Sequence, residues 1–158
     1  MARLQGISAN LNAVLDTLAA SEGTRLIPNS DEGYLALIGG RVFSSYSTHP
    51  NPSVWIQRIG QYSSAAGRYQ LLYRYWQVYQ KQLSLPDFSP TSQDLIAVTM
   101  LGEVGALADI EAGNFSSAIA KAGKRWSSLP CSQYGQTIRT FDQVKAWYVA
   151  AGGGFASS

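Results

Sequence analysis

Leucine, valine and alanine recur at helical spacing near the start of the chain. Leu11, Val14, Leu15, Leu18 and Ala19 mark one face of a helix predicted over 9–22, and Gly23 ends it. From residue 34 the pattern changes. YLALIGGRVFSSYS (34–47) places two short apolar runs around Gly39–Gly40, as in a β-hairpin with a two-residue turn. Residues 49–66 carry Pro50, Pro52, Gly60 and a Ser/Ala run, and are expected to be mainly loop. An aromatic helix is predicted over 69–83, with Pro86 just beyond its end. Ser89 and Pro90 supply an N-cap and a first-turn proline for a helix over 90–103. Shorter helices follow near 105–112 and from an Asn114 cap to residue 122. Trp126 to Gln136 reads as loop, and Thr140 with Gln143 forms a capping box for a last helix to Ala151. The expected class is α+β: mostly helices, with one small antiparallel sheet inserted near the start.

Composition bounds what such a chain can be. Its 158 residues fit one domain, expected over 1–151. The closing GGGFASS (152–158) is flexible by composition. Hydrophobic residues make up 46% and charged residues 14%, which excludes a charge-solvated disordered chain and a coiled coil. A formal charge of +2 is too small for a nucleic-acid binder but favours an anionic polymer slightly. Polar residues interrupt the first twenty positions, so no signal peptide is read there. No apolar run approaches a membrane span.

Several chemistries fall away. A single histidine, His49, excludes two-histidine zinc sites, and a single cysteine, Cys131, excludes an internal disulfide. Both read as structural or incidental. GxSxG, GxxxxGK[ST] and GxGxxG are all missing. No metal and no cofactor is expected. What remains is carboxylates, amides, tyrosines and backbone.

Glu22 is the carboxylate that stands out. It lies four, seven and eleven residues after Leu18, Leu15 and Leu11, so it emerges from the apolar face of its helix. Desolvation there raises its pKa, as a general acid working near neutral pH requires. The alternative is a helix-terminal glutamate swung into water. No Asp or Glu occurs between Glu32 and Asp87, so Asp31 and Glu32 are the nearby candidates for a second carboxylate. Two further stretches suit a neutral sugar: Ala66–Gln70, with a close-approach glycine and an amide, and Tyr134-Gly135-Gln136 in a loop.

These stretches belong to an ordered set. SEGT (21–24), GYxxxxGG (33–40), YSxHP (46–50), AGRYQLL (66–72), QKQL (80–83), DFSPxSQD (87–94), GAL (105–107) and WxSLPxxxYGQ (126–136) resemble the bacteriophage lambda endolysin family. The resemblance runs over about residues 10–152. It implies a lysozyme-like α+β fold, a helical lobe and a small sheet lobe with a saccharide cleft between them. It also implies lytic transglycosylase activity on peptidoglycan, with Glu22 as catalytic acid. Tyr46, Ser47, Arg68, Tyr69, Gln70, Tyr134 and Gln136 are implied as substrate-binding residues, and two mobile lips as falling near 51–62 and 128–142. The family pattern has an Asp where this chain has Leu35. The partner implied is the glycan strand, with dependence on a phage holin, no nucleic acid, no membrane insertion and a monomeric state. The implied location is the host cytoplasm until release, then the cell wall. Two other readings stay open: a hydrolytic muramidase using Asp31 or Glu32, and a non-catalytic peptidoglycan-binding module.

Overall fold

The computed structural model describes residues 1–130 and 139–157. Its elements are α1 (Ala9–Glu22), β1 (Val54–Ile56), β2 (Gln61–Ser63), α2 (Tyr73–Leu83), α3 (Pro90–Glu103), α4 (Leu107–Ala112), α5 (Phe115–Ala122) and α6 (Phe141–Ala150). The class is α+β, as expected. The chain divides into two compact units, one of Met1–Glu22 with Asp94–Ser158 and the other of Gly23–Gln93.

The first unit is helical and is built around α1. The sequence marks one apolar face, yet every residue from Ala13 to Ala19 is buried. A helix buried on all sides is a core helix, and α4 and α6 pack against it. Of its buried polar side chains, the Thr17 hydroxyl donates to the Ala13 carbonyl at 2.7 Å and the Asp16 carboxylate faces the N-terminal ammonium at 3.6 Å. Asp94, fully buried, accepts from the backbone N–H of Arg3 at 2.7 Å and of Leu4 at 2.9 Å, which ties the N-terminal strand of chain to α3. The capping box of α6 forms as its residues require, Thr140 accepting from Gln143 N and Gln143 from Thr140 N. Asn114 stands at the N-cap of α5 without a side-chain capping bond.

The end of the chain is more constrained than its glycines suggest. Phe155 packs edge-on against Phe115 and Tyr148, with ring centroids 5.8 and 5.5 Å apart. Tyr148 donates its hydroxyl to the Gly154 carbonyl at 2.7 Å, and Gly154 N donates to Asn10 Oδ1 at 2.9 Å. Gly153 is required here because a Cβ would sit 2.3 Å from the Tyr148 ring. Composition points to flexibility, whereas specific ring packing holds 153–156 in place.

The second unit carries the sheet, and here the sequence reading needs correction. The two strands are β1 and β2, paired antiparallel with Trp55 opposite Tyr62, inside the stretch expected to be loop. Val54-Trp55-Ile56 is a short β-forming run whose signal the neighbouring prolines and Gly60 masked. Around Gly39–Gly40 the predicted turn forms, but pairing shrinks to the single bridge Ala36–Val42. The aromatic helix begins at Tyr73, not at 69, because 67–70 is a four-residue loop closed by reciprocal bonds between Ala66 and Leu71 at 3.1 and 3.0 Å. His49 is structural: buried, it donates from Nε2 to the Leu71 carbonyl at 2.7 Å and accepts from Asn51 N at Nδ1. Burial holds its pKa below the usual value, against the raising effect of the Leu71 carbonyl.

A side chain at position 153 has nowhere to go. Gly153→Ala should lower stability by about 1–3 kcal/mol in thermal unfolding. An unchanged Tm would mean that the terminal segment is not packed in solution.

Candidate active site

Glu22 is the last residue of α1, after seven consecutive buried positions have carried the helix through the core. That path leaves its carboxyl half-buried in the first unit. Two residues from distant parts of the sequence meet it. The Ser128 hydroxyl lies 3.1 Å from Glu22 Oε1 and 3.0 Å from the Ser21 hydroxyl, and both serines are buried. Ser21 in turn donates to the Leu18 carbonyl at 3.0 Å. Arg139 donates from Nε to the Ser21 carbonyl at 3.1 Å, which fixes its guanidinium beside the end of α1. Its backbone N–H donates to the Ser128 carbonyl at 2.8 Å. Among the described residues, the two that act on Glu22 are therefore pinned to each other.

These neighbours compete with burial. Desolvation pushes the Glu22 carboxyl up, while the Ser128 hydrogen bond and the Arg139 charge pull it down; the outcome is a pKa raised from 4.5 to about 7. The position of Glu22 on the apolar face of its helix thus matches its burial, and the alternative of a water-solvated terminal glutamate does not describe this side chain. A carboxyl titrating near 7 holds a proton at neutral pH and can also surrender it, as acid–base catalysis demands.

The other described candidates lie in the second unit. Arg68 was expected on substrate, but its side chain is fully buried. Its guanidinium stacks between the Tyr34 and Tyr69 rings, 5.1 and 5.6 Å from their centroids. It donates from Nε to the Glu32 carbonyl at 3.1 Å and from a terminal nitrogen to the Tyr69 hydroxyl at 3.0 Å. A cation so enclosed is scaffold, and the buried Tyr69 shares that role. Gln70 is half-buried at a φ of +55°, a strained value for a residue with a side chain, and its amide donates to the Gly67 carbonyl at 2.9 Å. Tyr46 donates its hydroxyl to the Asp31 carboxylate. Ser47 is exposed, with its hydroxyl accepting from Ser45 at 3.0 Å. Tyr134, Gln136 and Cys131 lie outside the described residues.

Sequence reasoning missed Ser128, Arg139 and Gln93. Gln93 is a buried amide that accepts from Arg68 N and donates to the Tyr34 and Phe88 carbonyls, clasping three segments at once. A Cβ on Gly67 would lie 2.4 Å from its Oε1. Ser128 and Gln93 both fall within the quoted motifs, though no local pattern distinguishes them from surface polar residues. Arg139 has no local signal at all.

The raised Glu22 pKa makes stability depend on pH. The unfolded chain loses this proton near 4.5 and the folded one near 7, so the folded state loses ground as pH rises through that window. Glu22→Gln carries no such proton. Its Tm advantage over the parent should therefore grow between pH 4.5 and 7.5, by roughly 2–10 °C. A difference in Tm that stays constant with pH would contradict the desolvated carboxyl.

Comparison with known proteins places this geometry. The family model for Endolysin matches residues 12–155. The chain is 42% identical over 154 residues to the endolysin of Escherichia phage P2, covering 91% of this chain and 93% of that protein. It is 42% identical over 149 residues to the endolysin of Escherichia phage lambda, covering 93% and 94%. Bacteriophage lambda lysozyme, solved in complex with a chitohexasaccharide, superposes with a TM-score of 0.90 at 40% identity, covering 98% of this chain and all of that one. A second structure of lambda lysozyme gives 0.87 at 39% identity. With an acid-poised glutamate at the end of its core helix and these relatives along nearly its whole length, the chain belongs to the endolysin family.

Proposed function

We propose that this chain is a phage lytic transglycosylase, which cleaves the β-1,4 bond between N-acetylmuramic acid and N-acetylglucosamine in peptidoglycan. The observation that carries the reading is Glu22, half-buried at the end of α1 with the Ser128 hydroxyl 3.1 Å from its Oε1, where desolvation raises the carboxyl pKa to about 7. The described groups that shift it are Ser128 and Arg139, and neither is a second carboxylate. That environment suits a mechanism in which one glutamate serves twice. The relative solved with a chitohexasaccharide supports a β-1,4-linked N-acetylated glycan as substrate.

Neutral Glu22 gives its proton to the glycosidic oxygen as the bond from C1 of muramic acid breaks, and the N-acetylglucosamine leaves as an alcohol. The substrate's own N-acetyl group supports the developing positive charge. Ionised Glu22 then removes the proton of the muramic C6 hydroxyl, whose oxygen bonds to C1. The ring closes as a 1,6-anhydro sugar, no water enters, and Glu22 is again protonated. Tyr46, Ser47, Gln70, Tyr134 and Gln136 bind the acetylated sugars in this reading, with Arg68 and Tyr69 stiffening the loop that carries Gln70. In the cell the enzyme works as a monomer without a cofactor. It accumulates in the host cytoplasm and reaches the wall through a holin. Among the described residues no helix is long and apolar enough to cross a membrane.

Mass spectrometry of fragments released from purified peptidoglycan separates the possibilities. The expected products are muropeptides lighter by one water with non-reducing anhydro ends, and Glu22→Gln should cut turnover by about 10²–10⁴-fold while retaining binding. Ordinary reducing ends would mean hydrolysis and return attention to Asp31 and Glu32. Sedimentation with peptidoglycan but no released fragments would mean a binding module. Because the acid must be protonated, kcat/KM should fall as pH rises above about 7.

A further inference from the structure

The hydrogen bonds around Glu22 contain an arithmetic problem. Ser128 has one hydroxyl proton but lies within bonding distance of two acceptors, Ser21 Oγ at 3.0 Å and Glu22 Oε1 at 3.1 Å. The Ser21 hydroxyl has an acceptor of its own in the Leu18 carbonyl at 3.0 Å, and a proton engaged there is not offered to Ser128. Ser21 and Ser128 are 1% and 3% exposed, so water has little access to take up either role. The Ser128 proton must choose, and its choice depends on the charge of Glu22.

We infer that Ser128 is a positioning residue for the acid–base cycle, its hydroxyl turning between Ser21 and Glu22 as the carboxyl loses and regains its proton. When Glu22 is neutral, with its proton on Oε2, Oε1 is an ordinary carbonyl oxygen and the Ser128 proton rests on Ser21 Oγ. Ser128, Ser21 and Leu18 then form a chain of hydrogen bonds running in one direction, each polarising the next. When Glu22 gives up its proton, Oε1 becomes the stronger acceptor and the Ser128 hydroxyl turns to it. No covalent bond at either serine is made or broken; only the rotation about Cβ–Oγ changes. Holding Oε1 in this way leaves Oε2 as the oxygen that carries the travelling proton.

The pair has opposite effects on the two states, which sets it apart from ordinary packing. Ser128 stabilises ionised Glu22, whereas Ser21 competes for the same proton and so favours the neutral acid. Arg139 is the charged side chain that acts on Glu22 among the described residues, and it is held by the Ser21 backbone carbonyl rather than by either hydroxyl. Exchanging the hydroxyls leaves that attachment in place.

This inference rests on Glu22 being the acid–base of the proposed reaction, but its test reads the carboxyl directly. In protein carrying ¹³C-labelled glutamate, the Glu22 carboxyl is assigned by its loss in Glu22→Gln and titrated without substrate. Ser128→Ala should raise its midpoint by about one pH unit and Ser21→Ala should lower it by up to about the same amount. Ser128→Cys, with a weaker donor of similar size, should fall between the parent and Ser128→Ala. On peptidoglycan, Ser128→Ala should reduce kcat about tenfold with KM little changed, and the alkaline limb of each pH profile should follow the same shifts. Midpoints that move in the same direction in both alanine variants, or that do not move, would overturn the switching role even if glycan cleavage is intact. If Ser128→Ala unfolds, the Ser21→Ala and Ser128→Cys midpoints decide it alone, since a purely structural serine predicts no downward shift on losing Ser21. Opposite shifts in a protein that releases no glycan fragments would retain the switch and defeat the enzymatic reading.

Discussion

The balance between burial and compensation at Glu22 is the constraint on which the rest of the site depends. Left to desolvation alone, the carboxyl would be locked in its neutral form, able to protonate a leaving group but not to take a proton back. Given a full salt bridge, it would be locked in the ionised form. Ser128 and Arg139 together bring it to about 7, between those two extremes. A residue asked to act first as acid and then as base needs that intermediate value. The two compensating residues flank the segment 131–138 and are tied to each other through the Arg139 amide and the Ser128 carbonyl. The positions of these two groups beside the acid are therefore set by one attachment.

The burial of α1 is what imposes the desolvation. A helix whose residues 13–19 are all enclosed cannot turn its last residue freely into solvent. The terminal ring cluster of Phe115, Tyr148 and Phe155 closes the same unit at its C-terminal end, and the Asn10 side chain joins α1 to Gly154. In the second unit a comparable economy holds the GRYQ loop. Gln93 and Thr24 bind the backbone on either side of Arg68, at its N–H and its carbonyl, and two tyrosine rings enclose its guanidinium. Gln70 is left at the end of this loop with a positive φ that only such rigid surroundings would maintain.

Much of this was legible in the residues, for identifiable reasons. Helices with paired start and stop signals were placed almost to the residue: α1 before Gly23, α3 after Ser89-Pro90, α6 behind the Thr140–Gln143 box. Glu22 could be singled out because helical period alone puts it on the apolar face. The sheet was misplaced because Val54-Trp55-Ile56 is too short to outweigh the prolines beside it, while Gly39–Gly40 made a turn without strands to follow. The substrate role of Arg68 comes from the family resemblance alone; the two rings that bury it are those of Tyr34 and Tyr69, and only folding brings Tyr34 there. Ser128 and Arg139 are more than a hundred residues from Glu22, so nothing local could show that they set its proton affinity.

Both roles of Glu22 require a neutral acid at the threshold of ionisation under working conditions. The direct test is the titration midpoint of its side-chain carboxyl in the unmodified protein, read by ¹³C NMR. The expected midpoint is near 7. A midpoint near 4.5, the value of a carboxyl in water, would show that the side chain is solvated and charged, and would remove the physical basis for assigning it both roles.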